Sequence, residues 1–237
     1  MPAGRRRGLG SAQYAALLRA DFASFATHVF AELYPKTRFQ MNWHLWVIAA
    51  RLAAVRNGKI RRLAIQLPPR HLKSLLASVA FPAWVLGHDP SAEILCVSYA
   101  QELADKWSRD CRRIVLSPWY RALFPTRLAP SRQAMAEFET TAKGCRIATS
   151  VGGVLTGRGA DLIVIDDPLK PEEALSDPCR ASANEWYDST LSQPPQRQGE
   201  ECHRPRHAPA TRGRPRRPQA GARGVGGAAL SGDRRSR

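Results

Sequence analysis

Paired cysteines are missing from this chain. Its five cysteines, Cys96, Cys111, Cys145, Cys179 and Cys202, show no C-x-x-C spacing. That argues against a zinc site or a disulfide framework, and for reduced thiols in the cytoplasm. The six histidines are equally dispersed. Long apolar runs are missing too. Stretches such as "WVIAARLAAV" are broken by arginine, so no segment is expected to span a membrane. The N-terminus carries arginines but no apolar run with a cleavage site, which excludes a secretory signal. Acidic residues are scarce: 20 Asp and Glu face 36 Lys and Arg, a net charge of +16. Such an excess points to a polyanionic partner.

The charge is unevenly spread. Residues 193–237 hold 11 Arg and 3 acidic residues, so this tail supplies +8 of the +16. It contains no Lys, Phe, Tyr, Trp or Ile and is built largely from Arg, Pro, Gly and Ala. A segment of that composition cannot bury enough apolar surface to fold, and disorder is expected. The break comes abruptly after "EWYDSTLS". Residues 1–10 also read as disordered, which leaves 11–192 as one domain.

Within that domain, helices and strands alternate. "SAQYAALLRADFASFATHVFAELYP" has helical periodicity, with Ser11 as N-cap and Pro35 past its end. "MNWHLWVIAARLAAVRNG" predicts a second helix, stopped at Asn57-Gly58. "RRLAIQL" (61–67) predicts a buried strand, and 73–87 a helix carrying Pro82. A strand (93–100), a helix (101–117) and two strands joined at Lys143-Gly144 follow. Then come a glycine-rich loop, "VGGVLTGRGA", a strand "DLIVIDDP" (161–168) and a last helix. The order predicts an α/β fold with a mostly parallel sheet.

Two stretches carry chemistry. "QLPPRHLKS" places Lys73 and Ser74 at a strand-to-helix junction, where a phosphate-binding loop ends. Such a loop aims backbone N–H groups and a helix N-terminus at phosphates. A lysine reaches the β/γ oxygens and a hydroxyl holds Mg²⁺. The usual G-x-x-x-x-G-K-[ST] pattern is incomplete, because Leu72 stands where a glycine is expected. The backbone there must accept a Cβ. An ordinary capped helix start with an exposed lysine remains the competing reading. The second stretch is the end of "DLIVIDDP". An apolar strand delivering carboxylates is the partner such a loop needs. Asp166 would support Mg²⁺ through water, and Asp167 would orient the attacking water. Arg70 and Arg158 are candidate stabilisers of transferring phosphate, although solvated arginines would look the same. Gln40, Trp43 or His44 could face an adenine, but their spacing also suits plain core packing.

Together, "LPPRHLKS", "FPAWVLGHDPSAEILCVSYAQELADK", "SPWYRALFP", "FETTAKGCRIATSVGGVLTGRGADLIVIDDPLKPEEALSD" and "EWYDSTL" closely resemble the large terminase subunit of tailed phages and prophages. The resemblance covers about residues 20–192. It implies a P-loop NTPase fold, the ATPase domain of a motor that packages DNA into procapsids. By that resemblance Pro69, Arg70, His71, Leu72, Lys73 and Ser74 form the nucleotide-binding loop. Ser74 and Asp166 hold the metal, and Asp167, Arg70 and Arg158 serve catalysis. The implied cofactors are ATP and Mg²⁺. The implied partners are double-stranded DNA, the small terminase subunit, the portal protein and further copies in a ring, in the cytoplasm of a bacterial host.

In the family a further strand and then a nuclease domain follow. Here the composition breaks at Ser192/Gln193 instead. Read one base later with permitted codons, the tail can spell S-R-L-N-D-K-A-K-N-A-I-V-L-V-M-H-R-L, which includes an apolar strand. Residues 193–237 are therefore expected to be out of frame, and the chain a truncated prophage product with weak or no activity. Two readings from other classes stand beside this one. A non-catalytic basic protein would bind nucleic acid through charge alone. Another P-loop motor, such as a helicase, would share the loops.

Overall fold

The computed structural model describes residues 10–68, 70–153 and 159–191. The sheet is the frame of the molecule. Five strands, β1 (Glu93–Ser98), β2 (Leu128–Gln133), β3 (Glu137–Thr140), β4 (Cys145–Ser150) and β5 (Leu162–Ile165), lie in the order β2-β3-β4-β1-β5. β1 pairs in parallel with β4 on one side and with β5 on the other. β3 runs antiparallel to β4, and β2 antiparallel to β3. The fold is therefore α/β, with a sheet that is mixed: parallel at its centre and at the β5 edge, antiparallel at the other. β1 is buried from Ile94 to Ser98, as expected of an apolar strand with parallel neighbours on both sides.

Around it lie seven α-helices among the described residues: α1 (Ser11–Ala20), α2 (Phe22–Leu33), α3 (Trp43–Arg56), α4 (Phe81–His88), α5 (Gln101–Leu116), α6 (Pro118–Leu123) and α7 (Asp177–Trp186). None is long and apolar enough to cross a membrane. All the described residues belong to one compact unit.

Several expectations need correcting. The first predicted helix is two helices, broken at Asp21. The Asp21 carboxylate accepts the Ser24 N–H at 2.8 Å and so caps α2, while Gly10 is the N-cap of α1. β2 and α6 were not foreseen. Residues 61–67, predicted as a strand, form none, and they make no main-chain hydrogen bond among the described residues. The joint at Lys143-Gly144 holds, with Lys143 at φ 71° and its N–H bonded to the Thr140 carbonyl at 3.1 Å.

The helix that starts at Lys73 passes through a π-helical stretch, Leu75–Ala80, before α4. Pro82 accounts for this. A proline inside a helix removes one N–H and crowds the carbonyl four residues back, here that of Ser78. The widened turn relieves the crowding, with the Phe81 N–H reaching back five residues to the Leu76 carbonyl. The Ser78 carbonyl then takes a bond from elsewhere. Arg146, fully buried on β4, donates to it at 3.0 Å. The main core lies between these helices and the sheet, with Phe22, Phe25, Val29, Trp84, Tyr120 and Phe138 nearly inaccessible. The Tyr120 hydroxyl donates to the Ala83 carbonyl at 2.7 Å, and burial raises its pKa.

Candidate functional site

Lys73 stands at the first turn of its helix, and its ammonium meets the end of β5. It lies 3.0 Å from an Asp166 oxygen and also pairs with Asp167, 94 residues away in sequence. Successive side chains of an extended strand point to opposite faces, so two adjacent aspartates would ordinarily diverge. Here Asp167 has φ 49°. That left-handed step turns the chain and brings both carboxylates to one ammonium. The step is pinned by the Tyr99 N–H donating to the Asp167 carbonyl at 3.0 Å, and by the Asp166 N–H donating to Val97 at 2.8 Å.

The two carboxylates differ in setting. Asp166 is 3 % exposed and Asp167 52 %. The second oxygen of Asp166 accepts the Ser78 hydroxyl at 3.0 Å. Burial works to lower the Lys73 pKa, but the hydrogen bonds it donates to Asp167 and Asp166, with the charges of both carboxylates, outweigh it and the pKa is raised. Lys73 is therefore firmly cationic at neutral pH.

The preceding loop takes two left-handed steps, one of them at the position where the pattern's second glycine would stand. Arg70 has φ 66° and Leu72 φ 60°, a region that costs a side-chain-bearing residue free energy. Leu72 thus adopts the conformation expected of a glycine, and its Cβ is accommodated. Its carbonyl accepts the Leu76 N–H at 3.0 Å. His71 donates from Nδ1 to the Pro68 carbonyl at 3.1 Å, and its ring lies 5.4 Å from that of His44. α3 therefore reaches the loop through His44. Trp43 is 78 % exposed with its edge toward His44, and Gln40 is exposed.

The chain matches no protein-family model and no curated protein.

Among the expected site residues, the fold brings together Lys73, Asp166 and Asp167. Ser74 sits one residue further along the same turn, half-buried. Arg70 is in the loop but exposed. Pro69 and Arg158 lie outside the described residues. Two residues of this neighbourhood were missed. Ser78 orients Asp166, and Arg146 holds the Ser78 carbonyl. Pro82, whose lost N–H leaves the Ser78 carbonyl to be served, was a sequence signal for a donor such as Arg146; nothing in the sequence marked the Ser78 hydroxyl. Arg146 also acts on two buried thiols: burial pushes the Cys111 pKa up to about 12 and raises that of Cys96, with Arg146 working the other way on both.

The arrangement suits a phosphate ester carrying a divalent cation. One ammonium against two carboxylates is a cluster with a surplus negative charge. A helix start with Ser74 and the bent loop lie beside it. No group of three or more His, Cys, Asp or Glu side chains that could hold a metal exists among the described residues. The donor set present, a hydroxyl and a buried carboxylate, is the kind that holds Mg²⁺ together with phosphate oxygens.

Proposed function

We propose that residues 11–192 are the ATPase domain of a large terminase subunit, a P-loop NTPase fold that powers packaging of double-stranded DNA. The observation that carries this is the meeting of Lys73 with Asp166 and Asp167. A lysine at the start of a helix after a bent loop and two carboxylates at a parallel strand's end are brought together from distant parts of the sequence. In this reading Lys73 is held on the carboxylates until nucleotide arrives, then turns to the β/γ phosphate oxygens. Ser74 and Asp166 are the residues that would hold Mg²⁺, which would supply positive charge against the phosphate oxygens. Ser78 keeps Asp166 facing the site. Asp167, the more exposed carboxylate, orients water, and Arg70 and Arg158 stabilise the transferring group.

The small terminase subunit, the portal protein, a homo-oligomeric ring and the bacterial cytoplasm belong to the same proposal. The chain itself is read as a prophage product whose residues 193–237 are out of frame, and its turnover is expected to be close to background. A second reading, a basic protein that binds nucleic acid without catalysis, draws on the net charge of +16. Titration of Mg–ATP against the native chain and the Lys73→Ala and Asp166→Ala variants separates them. The motor reading expects binding that both variants lose. Retention of Mg–ATP binding by both would refute the site, and DNA affinity unchanged in a chain that binds no nucleotide would favour the second reading.

A further inference from the structure

Lys73 and a divalent cation would compete for the same oxygens. Both oxygens of Asp166 are engaged: one lies 3.0 Å from the Lys73 ammonium, and the other accepts the Ser78 hydroxyl at 3.0 Å. Lys73 also pairs with Asp167. A cation approaching the Lys73 side of Asp166 would meet a like charge across a single oxygen atom. Salt screens this pair little, since the Lys73 side chain is only 22 % exposed and that of Asp166 3 %. Deprotonation does not open the seat either, because the Lys73 pKa is raised. The carboxylates owe their places to the backbone and not to Lys73. The Asp166 N–H donates to the Val97 carbonyl, the Tyr99 N–H to the Asp167 carbonyl, and the turn comes from φ 49° at Asp167. They should remain side by side when the ammonium leaves.

We infer that Lys73 is a built-in cation that keeps divalent metal off Asp166 and Asp167 until a polyphosphate draws it away, so that metal and polyphosphate bind as a coupled pair. The identity of the incoming groups rests on the nucleotide reading above, whereas the ion pairs do not depend on it. Neither group opens the site alone. If phosphate oxygens drew the ammonium off without metal, Asp166 would be left as an uncompensated buried charge, which is strongly unfavourable. Metal without phosphate would have to displace the ammonium with nothing to receive it. Two carboxylates and a hydroxyl also supply fewer oxygens than such a cation takes. When both arrive, the ammonium moves to phosphate oxygens and the metal replaces it on the carboxylate. Each charge exchanges one partner for another, and by linkage each ligand raises the affinity of the other by the same factor. Lys73 thus attracts nucleotide and opposes metal. Removing its charge should lose the first affinity and gain the second, a pair of opposite changes that a merely structural role would not produce.

Mn²⁺ alone is the probe, titrated into the full chain without nucleotide and followed by water-proton relaxation. The native chain should bind it weakly. Lys73→Met, which leaves the two carboxylates unopposed, should bind it about tenfold or more tightly while losing Mg–ATP. Lys73→Arg keeps the cation and should stay at the native level for Mn²⁺. Adding Asp166→Asn to Lys73→Met should abolish the gain, which assigns the metal to this carboxylate. Lys73→Gln repeats the test if circular dichroism shows Lys73→Met to be unfolded. Equal Mn²⁺ affinity in the native chain and the neutral variants, a gain shared by Lys73→Arg, or a gain that survives Asp166→Asn would overturn the inference. A native chain that binds Mg–ATP, beside neutral variants with no gain for Mn²⁺, sinks the competition and leaves the nucleotide site. A gain for Mn²⁺ in the neutral variants, beside a native chain that binds no nucleotide, sinks the nucleotide site and leaves the exclusion of metal by Lys73 standing.

Discussion

Replacing Arg146 by methionine probes how the helix carrying Lys73 tolerates Pro82. Arg146 is fully buried, gives one N–H to the Ser78 carbonyl at 3.0 Å, and has no partner for Nε or Nη1 among the described residues. Two effects oppose each other in the single variant. Exchanging a poorly satisfied buried charge for an apolar side chain is neutral or stabilising, by about 1–4 kcal/mol in favourable cases. The Ser78 carbonyl is meanwhile stranded, since the N–H that would serve it belongs to position 82, a proline. An orphaned buried acceptor costs about 1–3 kcal/mol.

A double-mutant cycle with Pro82→Ala isolates the second effect. Alanine at position 82 supplies the N–H, so the carbonyl is served even without the guanidinium. The double variant is expected to be more stable than the sum of the two singles by about 1–2 kcal/mol, well above the roughly 0.5 kcal/mol scatter of independent sites. Urea unfolding of the four proteins, with equal m values, reads the coupling directly. Additivity within that scatter would refute the account of the π-helical turn, because the two positions would then not share the Ser78 carbonyl.

Other outcomes follow from particular contacts. Gly144→Ala should destabilise by about 3 kcal/mol, measured as a lower urea midpoint, because the new Cβ would meet the backbone around Pro90, Ser91 and Ala92. His88 donates from Nε2 to the Arg19 carbonyl at 2.9 Å. Its pKa is lowered from 6.5, chiefly by burial and then by Arg56. The native state thus binds fewer protons there than the unfolded chain. The associated stability is present above pH 6.5 and is lost as pH falls through the depressed pKa. His88→Gln keeps a donor but cannot titrate, so thermal melts of this variant should fall less steeply with acid. Deleting residues 193–237, with their 11 arginines, should remove most DNA affinity and flatten its salt dependence in filter binding. The full chain should not cut DNA in Mg²⁺ or Mn²⁺.

Local chemistry was legible in the sequence where neighbours along the chain decide it. Lys73 at a helix start and Asp166-Asp167 after an apolar strand could be paired on pattern, and the fold brings them together. The strained conformation at Leu72 was foreseeable from the missing glycine. What escaped was whatever depends on a partner distant in sequence. Ser78 looks like any helix serine until β5 is placed beside it. Arg146 alternates with apolar residues in β4 and would ordinarily be assigned to a solvent face. It is inside because the carbonyl of Ser78 needs a donor. β2 was missed because its proline-containing stretch, Leu128–Gln133, is an edge strand, where a missing N–H is tolerated.

The failed strand prediction at 61–67 teaches something different. The sequence pattern there is that of a strand, and the burial alternates accordingly; only the ladder is absent. β5 has the complementary fault. Its residues, Leu162, Ile163, Val164 and Ile165, are all apolar, as suits a parallel strand covered on both faces, yet none of them is buried. Two strands composed for burial face each other across a groove, each lacking its neighbour on the same side. Propensity and patterning on both walls agree with each other and disagree with the surface they form. Such a conflict points to a missing element more than to a misread one. The chain changes composition after residue 192, not far beyond the last described helix. An apolar strand, were residues 193–237 read in the shifted frame, would have the chemical character that residues 61–67 and β5 require beside them.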